Sequence, residues 1–165
     1  MPSLTQTMTK NIFLSALAII LLAAVLSSQV ELQGQLTRDE ILRNFPDWKT
    51  VAESYSPDLE FISGLQAVSE EIQIEVFLGT WCPDSKQHVS AYFKIMDMVQ
   101  NPLIRTTYIG LPQIKEDRAK YIQGKDIQRI PTFVVTIRGQ EAGRIIETPR
   151  TSVEEDLWRI IQEKI

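Results

Sequence analysis

A strand pattern that runs directly into a helix pattern constrains the fold of this chain more than any other feature. Ile72–Leu78 (IQIEVFL) alternates at first and then becomes continuously apolar, which predicts a strand whose far end is buried on both faces. A helix is predicted over residues 83–100, where Asn101-Pro102 ends it, and a second strand over residues 103–109. Strand, helix and strand in this order form a parallel crossover unit, so the chain is predicted to be α/β.

The downstream part adds a hairpin and a helix. Thr132–Ile137 (TFVVTI) predicts a strand, residues 138–141 a turn, and residues 143–147 a strand that pairs back across it. Ser152 and Glu155 form a capping pattern for a last helix. Together these elements predict a four-stranded mixed sheet with helices on both faces, which we assign to residues 70–165.

Residues 28–69 are predicted to be a helical N-terminal extension of this domain. Thr37 with Glu40 makes a capping box, and Pro46 interrupts the helix that follows. A second helix is predicted from Pro57. Trp48 lies within this helical pattern, and its simplest role is to fill the core.

An apolar run precedes the extension. In residues 12–26 fourteen of fifteen positions are apolar, with Ser15 the exception, and no acidic residue occurs before Glu31. The run is shorter than the roughly 20 residues that a membrane-spanning helix needs, so residues 1–27 are predicted to be a secretory signal peptide. An uncleaved signal anchor is the alternative. Either interpretation predicts an extracytoplasmic protein, periplasmic or secreted, that meets the membrane only if the segment is retained.

Composition excludes several function classes. The net charge of −4 argues against non-specific nucleic-acid binding, which needs clustered cations. One cysteine and one histidine exclude an intramolecular disulfide, a cysteine-rich zinc site and a multi-histidine centre, so no metal site is predicted. A run of mixed charges predicts a solvent-exposed helix face; its members are Lys115, Glu116, Asp117, Arg118 and Lys120.

The one cysteine lies at the predicted start of the long helix. Pro83 suits the first helical position, so Cys82 is placed at the N-cap, where unpaired backbone N–H groups and the helix dipole favour a thiolate. Ser85 and Lys86 lie about 60° and about 40° around the helix from Cys82. We therefore expect an accessible sulfur that receives a hydrogen bond from Ser85 and a nearby charge from Lys86, with Trp81 shielding one side. The alternative is that Cys82 is a small buried apolar residue.

Two segments carry a family resemblance. Trp81-Cys82-Pro83-Asp84-Ser85 resembles the W-C-x-x-C turn of the thioredoxin family, with Ser85 in place of the second cysteine, and the flanking residues resemble secreted bacterial thioredoxin-like proteins. Arg129-Ile130-Pro131-Thr132-Phe133 resembles the family's cis-proline loop. The resemblance implies a thioredoxin-like fold in which Cys82 and Ser85 are the catalytic pair. It also implies substrate binding by Trp81, Pro83, Lys86, Ile130 and Pro131.

Two departures from the family pattern bear on activity. Val76 occupies the place of the family's buried acidic residue, and Ser85 cannot form a disulfide. One hypothesis is a thiol–disulfide protein that acts on protein or peptide thiols and disulfides through Cys82 alone. It would need no bound cofactor, but an external thiol such as glutathione would have to serve as co-substrate. The other hypothesis is a redox-inactive thioredoxin-fold module that binds proteins.

Overall fold

A computed structural model of the chain describes residues 31–165, so the predicted signal segment lies outside the described residues. The sheet contains five strands: β1 (Gly34–Leu36), β2 (Ile72–Leu78), β3 (Ile104–Gly110), β4 (Thr132–Ile137) and β5 (Gln140–Ile146). The helices are α1 (Arg38–Asn44), α2 (Pro46–Ser54), α3 (Leu59–Gln66), α4 (Pro83–Val99), α5 (Ala119–Ile122) and α6 (Val153–Gln162). A 3₁₀ turn, Lys115–Arg118, leads into α5. None of these helices is long and apolar enough to cross a membrane.

The strand order is β1-β3-β2-β4-β5. Strand β2 pairs in parallel with β3 and antiparallel with β4, and β4 and β5 form the predicted hairpin. Leu78 at the end of β2 is opposite Gly110, and Phe77 is opposite Thr132. The end of β2, the end of β3 and the start of β4 therefore lie together at one end of the strands.

Local sequence signals account for the helix boundaries. Thr37 and Glu40 form the predicted capping box of α1, and Pro46 occupies the first turn of α2. Asp58 caps α3 with its side chain, which places the start of this helix two residues after Pro57. The Ser152 side chain accepts from Glu155 N at the start of α6, as predicted.

The two faces of the sheet are covered differently. On one face, which we call the helical face, Ile72, Ile74 and Val76 of β2 pack with buried side chains from α1, α2, α3, α4 and α6. On the other, the Cys82 face, a smaller buried cluster consists of Phe77, Cys82, Leu111, Ile127, Ile130 and Val134. Within residues 31–165, segment 111–130 supplies the cover of this second cluster.

The structure confirms the predicted mixed α/β sheet and corrects its strand count. The sheet has five strands rather than four, because Gly34–Leu36 adds a short antiparallel edge strand along β3. Three residues give too short an alternation to predict a strand. Helices lie on both faces, as predicted: the longer helices contribute to the core of the helical face, and the short helix α5 packs Tyr121 and Ile122 against the Cys82 cluster. Helices α1–α3, in the predicted extension, share that core with the sheet.

Candidate thiol site at the end of strand β2

Cys82 is the N-cap residue of α4 and Pro83 is in its first turn, as the sequence predicts. The backbone is locked on both sides, since Cys82 N donates to Gly79 O at 3.0 Å and Lys86 N donates to Cys82 O at 3.0 Å. The Gly79 backbone lies close to the Ile130 side chain, since a Cβ at Gly79 would lie 2.7 Å from Ile130 Cδ1. The strand-to-helix turn therefore fixes the cysteine backbone against the loop that precedes β4.

The sulfur lies in a mostly apolar environment. Cys82 is 8% exposed and packs with Phe77, Leu111 and Ile130. Its thiol donates to the Ile130 carbonyl oxygen, with a sulfur–oxygen distance of 3.8 Å. The sulfur is therefore less accessible than the sequence analysis expects, because segment 111–130 closes over it.

The loop before β4 lies directly against the cysteine. The Ile130–Pro131 peptide bond is cis, and both residues are buried. Pro131 O accepts from Glu147 N at 2.6 Å, and the Arg129 guanidinium pairs with the Glu147 carboxylate at 2.9 Å. The structure thus brings together Cys82, Ile130 and Pro131, three of the residues that the sequence places at the site.

The predicted hydrogen bond from Ser85 to the Cys82 sulfur is absent from the described residues. The Ser85 side chain is fully buried, and its hydroxyl oxygen accepts from Gly79 N at 3.1 Å. Within the described residues it makes no hydrogen bond to Cys82. Ser85 therefore ties the first turn of α4 to the end of β2, which is a structural role.

Lys86 is also engaged elsewhere. Its ammonium pairs with the Asp47 carboxylate of α2 at 2.5 Å. The sequence places Lys86 on the cysteine side of the helix, but it cannot reveal that α2 presents an acid there. The predicted supporting charge for the sulfur is thus directed toward the helical extension.

Trp81 covers the site from the side of β3. Its ring packs against the Cys82 cluster, and its indole N–H donates to Leu111 O at 3.1 Å. The Arg118 guanidinium lies over the Trp81 ring, 5.4 Å from the ring centroid. Arg118 is 8% exposed, so the prediction that it belongs to a solvated helix face is wrong. The 3₁₀ turn that precedes α5 changes the face on which this side chain lies.

Val76 stands where the family has a buried acidic residue, and the structure shows how this apolar replacement is accommodated. Val76 is fully buried in the core of the helical face. Glu75 points to the opposite face, as expected from strand alternation, and forms an ion pair with Lys125. Within residues 31–165 no cluster of three or more His, Cys, Asp or Glu side chains is suited to hold a metal ion.

Sequence reasoning did not identify the loop that follows β3 as part of the site. Leu111 is fully buried, and Pro112 and Gln113 accept hydrogen bonds from Arg118. The available signal was topological. The carboxyl ends of two parallel neighbouring strands lie at the same edge, so the residues after β3 had to lie beside those after β2.

The chain belongs to the thioredoxin family. The family model matches residues 35–157, which is more than half of the chain and includes most of the helical extension. Membership of this family supports a general role in thiol–disulfide chemistry. No curated protein matches the sequence.

Two solved structures show the same fold at low sequence identity, and a third is similar over a smaller share of this chain. A Pseudomonas aeruginosa protein of unknown function is 18% identical, with a TM-score of 0.55, and the match covers 73% of this chain and 82% of that one. An HIV epitope-scaffold protein is 18% identical with a TM-score of 0.56, covering 73% and 83%. Oxidized mitochondrial thioredoxin 3 from Saccharomyces cerevisiae is 19% identical with a TM-score of 0.43, covering 68% and 98%.

Proposed function

We propose that this protein carries out thiol–disulfide exchange through Cys82 alone, with an external thiol completing each cycle. The observation that carries the proposal is the position of the Cys82 sulfur, at the N-terminus of a 17-residue helix and 3.8 Å from the carbonyl oxygen that precedes Pro131. The unpaired N–H groups of a helix N-terminus favour negative charge, and the thiolate is the reactive form of cysteine.

The proposed exchange transfers electrons only between the sulfur atoms of thiols and disulfides. The Cys82 thiolate attacks one sulfur of a disulfide R–S–S–R, a Cys82–S–S–R bond forms, and the second R–S⁻ leaves and takes a proton from water. An external thiolate, for example that of glutathione, then attacks the R sulfur of the mixed disulfide, so that a disulfide between the external thiol and R forms and the Cys82 thiolate leaves. Ser85 cannot perform this second step because a hydroxyl does not form a disulfide. Reduction, isomerisation and deglutathionylation all fit this sequence.

The loop at Pro131 supports binding of an extended substrate. Ile130 O accepts from the Cys82 thiol, and within the described residues it has no other hydrogen-bond partner. When the sulfur is engaged in a mixed disulfide, this carbonyl is left to accept a backbone N–H from a peptide. Trp81 and Pro83 flank Cys82 along the chain, and both are at least partly exposed.

We also place this activity outside the cytoplasm. The apolar run over residues 12–26 supports export through a signal peptide or signal anchor. Disulfide substrates persist in oxidising compartments, so the proposed location agrees with the proposed chemistry.

Intact-mass spectrometry after incubation with glutathione disulfide tests the exchange. We expect one glutathionyl adduct on the native protein, removed by reductant and absent from Cys82→Ala. A parallel sample in denaturant shows the adduct that a fully exposed thiol forms. A native protein that stays unmodified while the denatured sample is modified would overturn the proposed exchange.

The second candidate is a redox-inactive module that binds peptides beside the Pro131 loop. The burial of Cys82 and the engagement of Ser85 by Gly79 favour it. This candidate predicts an unmodified sulfur in the same experiment. It also predicts peptide binding that Cys82→Ala leaves intact and that shifts the amide resonances around Ile130.

A further inference from the structure

Arg118 is a buried cation without an acidic partner. Its side chain is 8% exposed, and no carboxylate lies within ion-pair distance in residues 31–165. The residues before Glu31 contain no Asp or Glu that could supply one. Glu31 is near, but its carboxylate accepts from Gln113 N and from the Gln33 side chain.

The partners of Arg118 are neutral and belong to the wall of the thiol site. Its Nε donates to Pro112 O at 2.8 Å, and its Nη2 donates to Gln113 O at 3.1 Å. Trp81, stacked under the guanidinium, donates to Leu111 O in the same loop. The cation is thus held in a fixed orientation against the residue that precedes Cys82.

Among the described residues, one nitrogen of the Arg118 guanidinium has no hydrogen-bond partner. Arg118 Nη1 makes no hydrogen bond within the described residues, and it is not among the polar atoms that are sealed from solvent without a partner. A buried charge that meets only neutral acceptors is costly, whereas a carboxylate ligand would offset that cost with a charge-assisted hydrogen bond. The arrangement therefore favours an anion beside Trp81.

We propose that Arg118 is a specificity residue that binds the carboxylate of a small thiol or disulfide substrate, of the glutathione class, at the Cys82 site. This inference rests on the proposed function, because it names the kind of external thiol that enters the exchange. It assigns the positive charge of the site to Arg118 rather than to Lys86, whose ammonium is paired with Asp47.

Titration with S-methylglutathione tests the inference without sulfur chemistry, because a thioether cannot enter disulfide exchange. The chain has three tryptophans, and their indole N–H resonances can be followed by NMR, with Trp81 assigned through Trp81→Phe. We expect the Trp81 resonance to move on titration. Arg118→Met should weaken this binding about tenfold or more, as loss of a hydrogen bond to a charged group implies.

The controls separate charge from fold. Lys120→Met removes a cation two residues away, and we expect it to change the affinity less than about twofold, as for a screened surface charge. Arg118→Lys keeps the charge and should bind more weakly than the native protein but more tightly than Arg118→Met. S-methylcysteamine, which has no carboxylate, requires no variant and should leave the Trp81 resonance in place.

The inference is overturned if S-methylglutathione does not move the Trp81 resonance, or if S-methylcysteamine moves it equally. A failure of glutathione disulfide to modify Cys82 would overturn the proposed exchange alone, since the thioether titration does not depend on it.

Discussion

The two faces of the sheet differ in how much apolar side chain they bury. The helical face buries large side chains from five helices, including Ile41, Trp48 and Phe93, none of which is more than 1% exposed. Within the described residues, the Cys82 face is covered by segment 111–130, which contains the short helix α5, and its buried cluster has six members. Because stability scales with buried apolar surface, the helical face stabilises the fold while the thin cover over Cys82 leaves room for chemistry.

Polar groups follow the same division. On the helical face a buried Glu154 accepts from the Tyr55 hydroxyl and from Asp58 N, which joins the extension to α6. On the Cys82 face Arg118 holds a loop, and the Glu75–Lys125 pair lines an open cleft of about 230 Å³. The first arrangement joins secondary-structure elements, whereas the second orders one loop and leaves the Glu75–Lys125 pair partly exposed.

Replacing Trp48 with alanine should have the largest effect on the fold. Trp48 is 1% exposed and packs near Phe45 and Phe93, so its loss leaves a large cavity in the core. We expect the free energy of unfolding to fall by about 3–5 kcal/mol, measured by guanidinium chloride denaturation.

Ile127→Ala is the matched change on the Cys82 face. Ile127 is 6% exposed in the smaller cluster, and we expect a loss of about 2 kcal/mol. Faster hydrogen exchange should be confined to segment 111–130. An equal or larger loss than for Trp48→Ala would break the proposed division of the two faces.

The buried Glu154 should be about as sensitive to substitution as Ile127. Glu154→Ala removes the acceptor for the Tyr55 hydroxyl and for Asp58 N, and we expect destabilisation of about 2–3 kcal/mol. Tyr55→Phe removes one of these bonds, so its cost should be smaller. If both variants unfold at the native denaturant midpoint, the hydrogen bonds to Glu154 do not stabilise the attachment of the extension to α6.

Ser85→Ala tests whether this serine has a structural role on the Cys82 face. The change leaves Gly79 N without its side-chain acceptor, and we expect a loss of about 1–2 kcal/mol in denaturant unfolding. Ser90 is the matched control, because its buried hydroxyl on the same helix has no partner within the described residues. Ser90→Ala should be neutral or stabilising, and equal losses from the two changes would contradict the role given to Ser85.

The sequence predicts the backbone of the site better than its side-chain contacts. The N-cap position of Cys82, Pro83 in the first turn and the strand pattern of β2 depend on local chemistry, and all three agree with the structure. Ser85, Lys86 and Arg118 depend on tertiary partners instead. Their contacts are with Gly79, Asp47 and the loop after β3, and helical periodicity does not contain that information.

Lys86→Met should have the smallest effect, and it separates the two faces most directly. The ion pair with Asp47 is partly exposed and joins α4 to α2 on the helical side, so its loss should cost less than about 1 kcal/mol and should matter even less in high salt. The rate at which iodoacetamide alkylates Cys82 should stay within about twofold of the native rate, because the ammonium already has a partner away from the sulfur.

Asp47→Asn is the reciprocal control, since it frees the Lys86 ammonium without removing it. A marked slowing in Lys86→Met that Asp47→Asn does not reproduce would show that the charge acts on the sulfur after all, and the helical face would then take part in the chemistry.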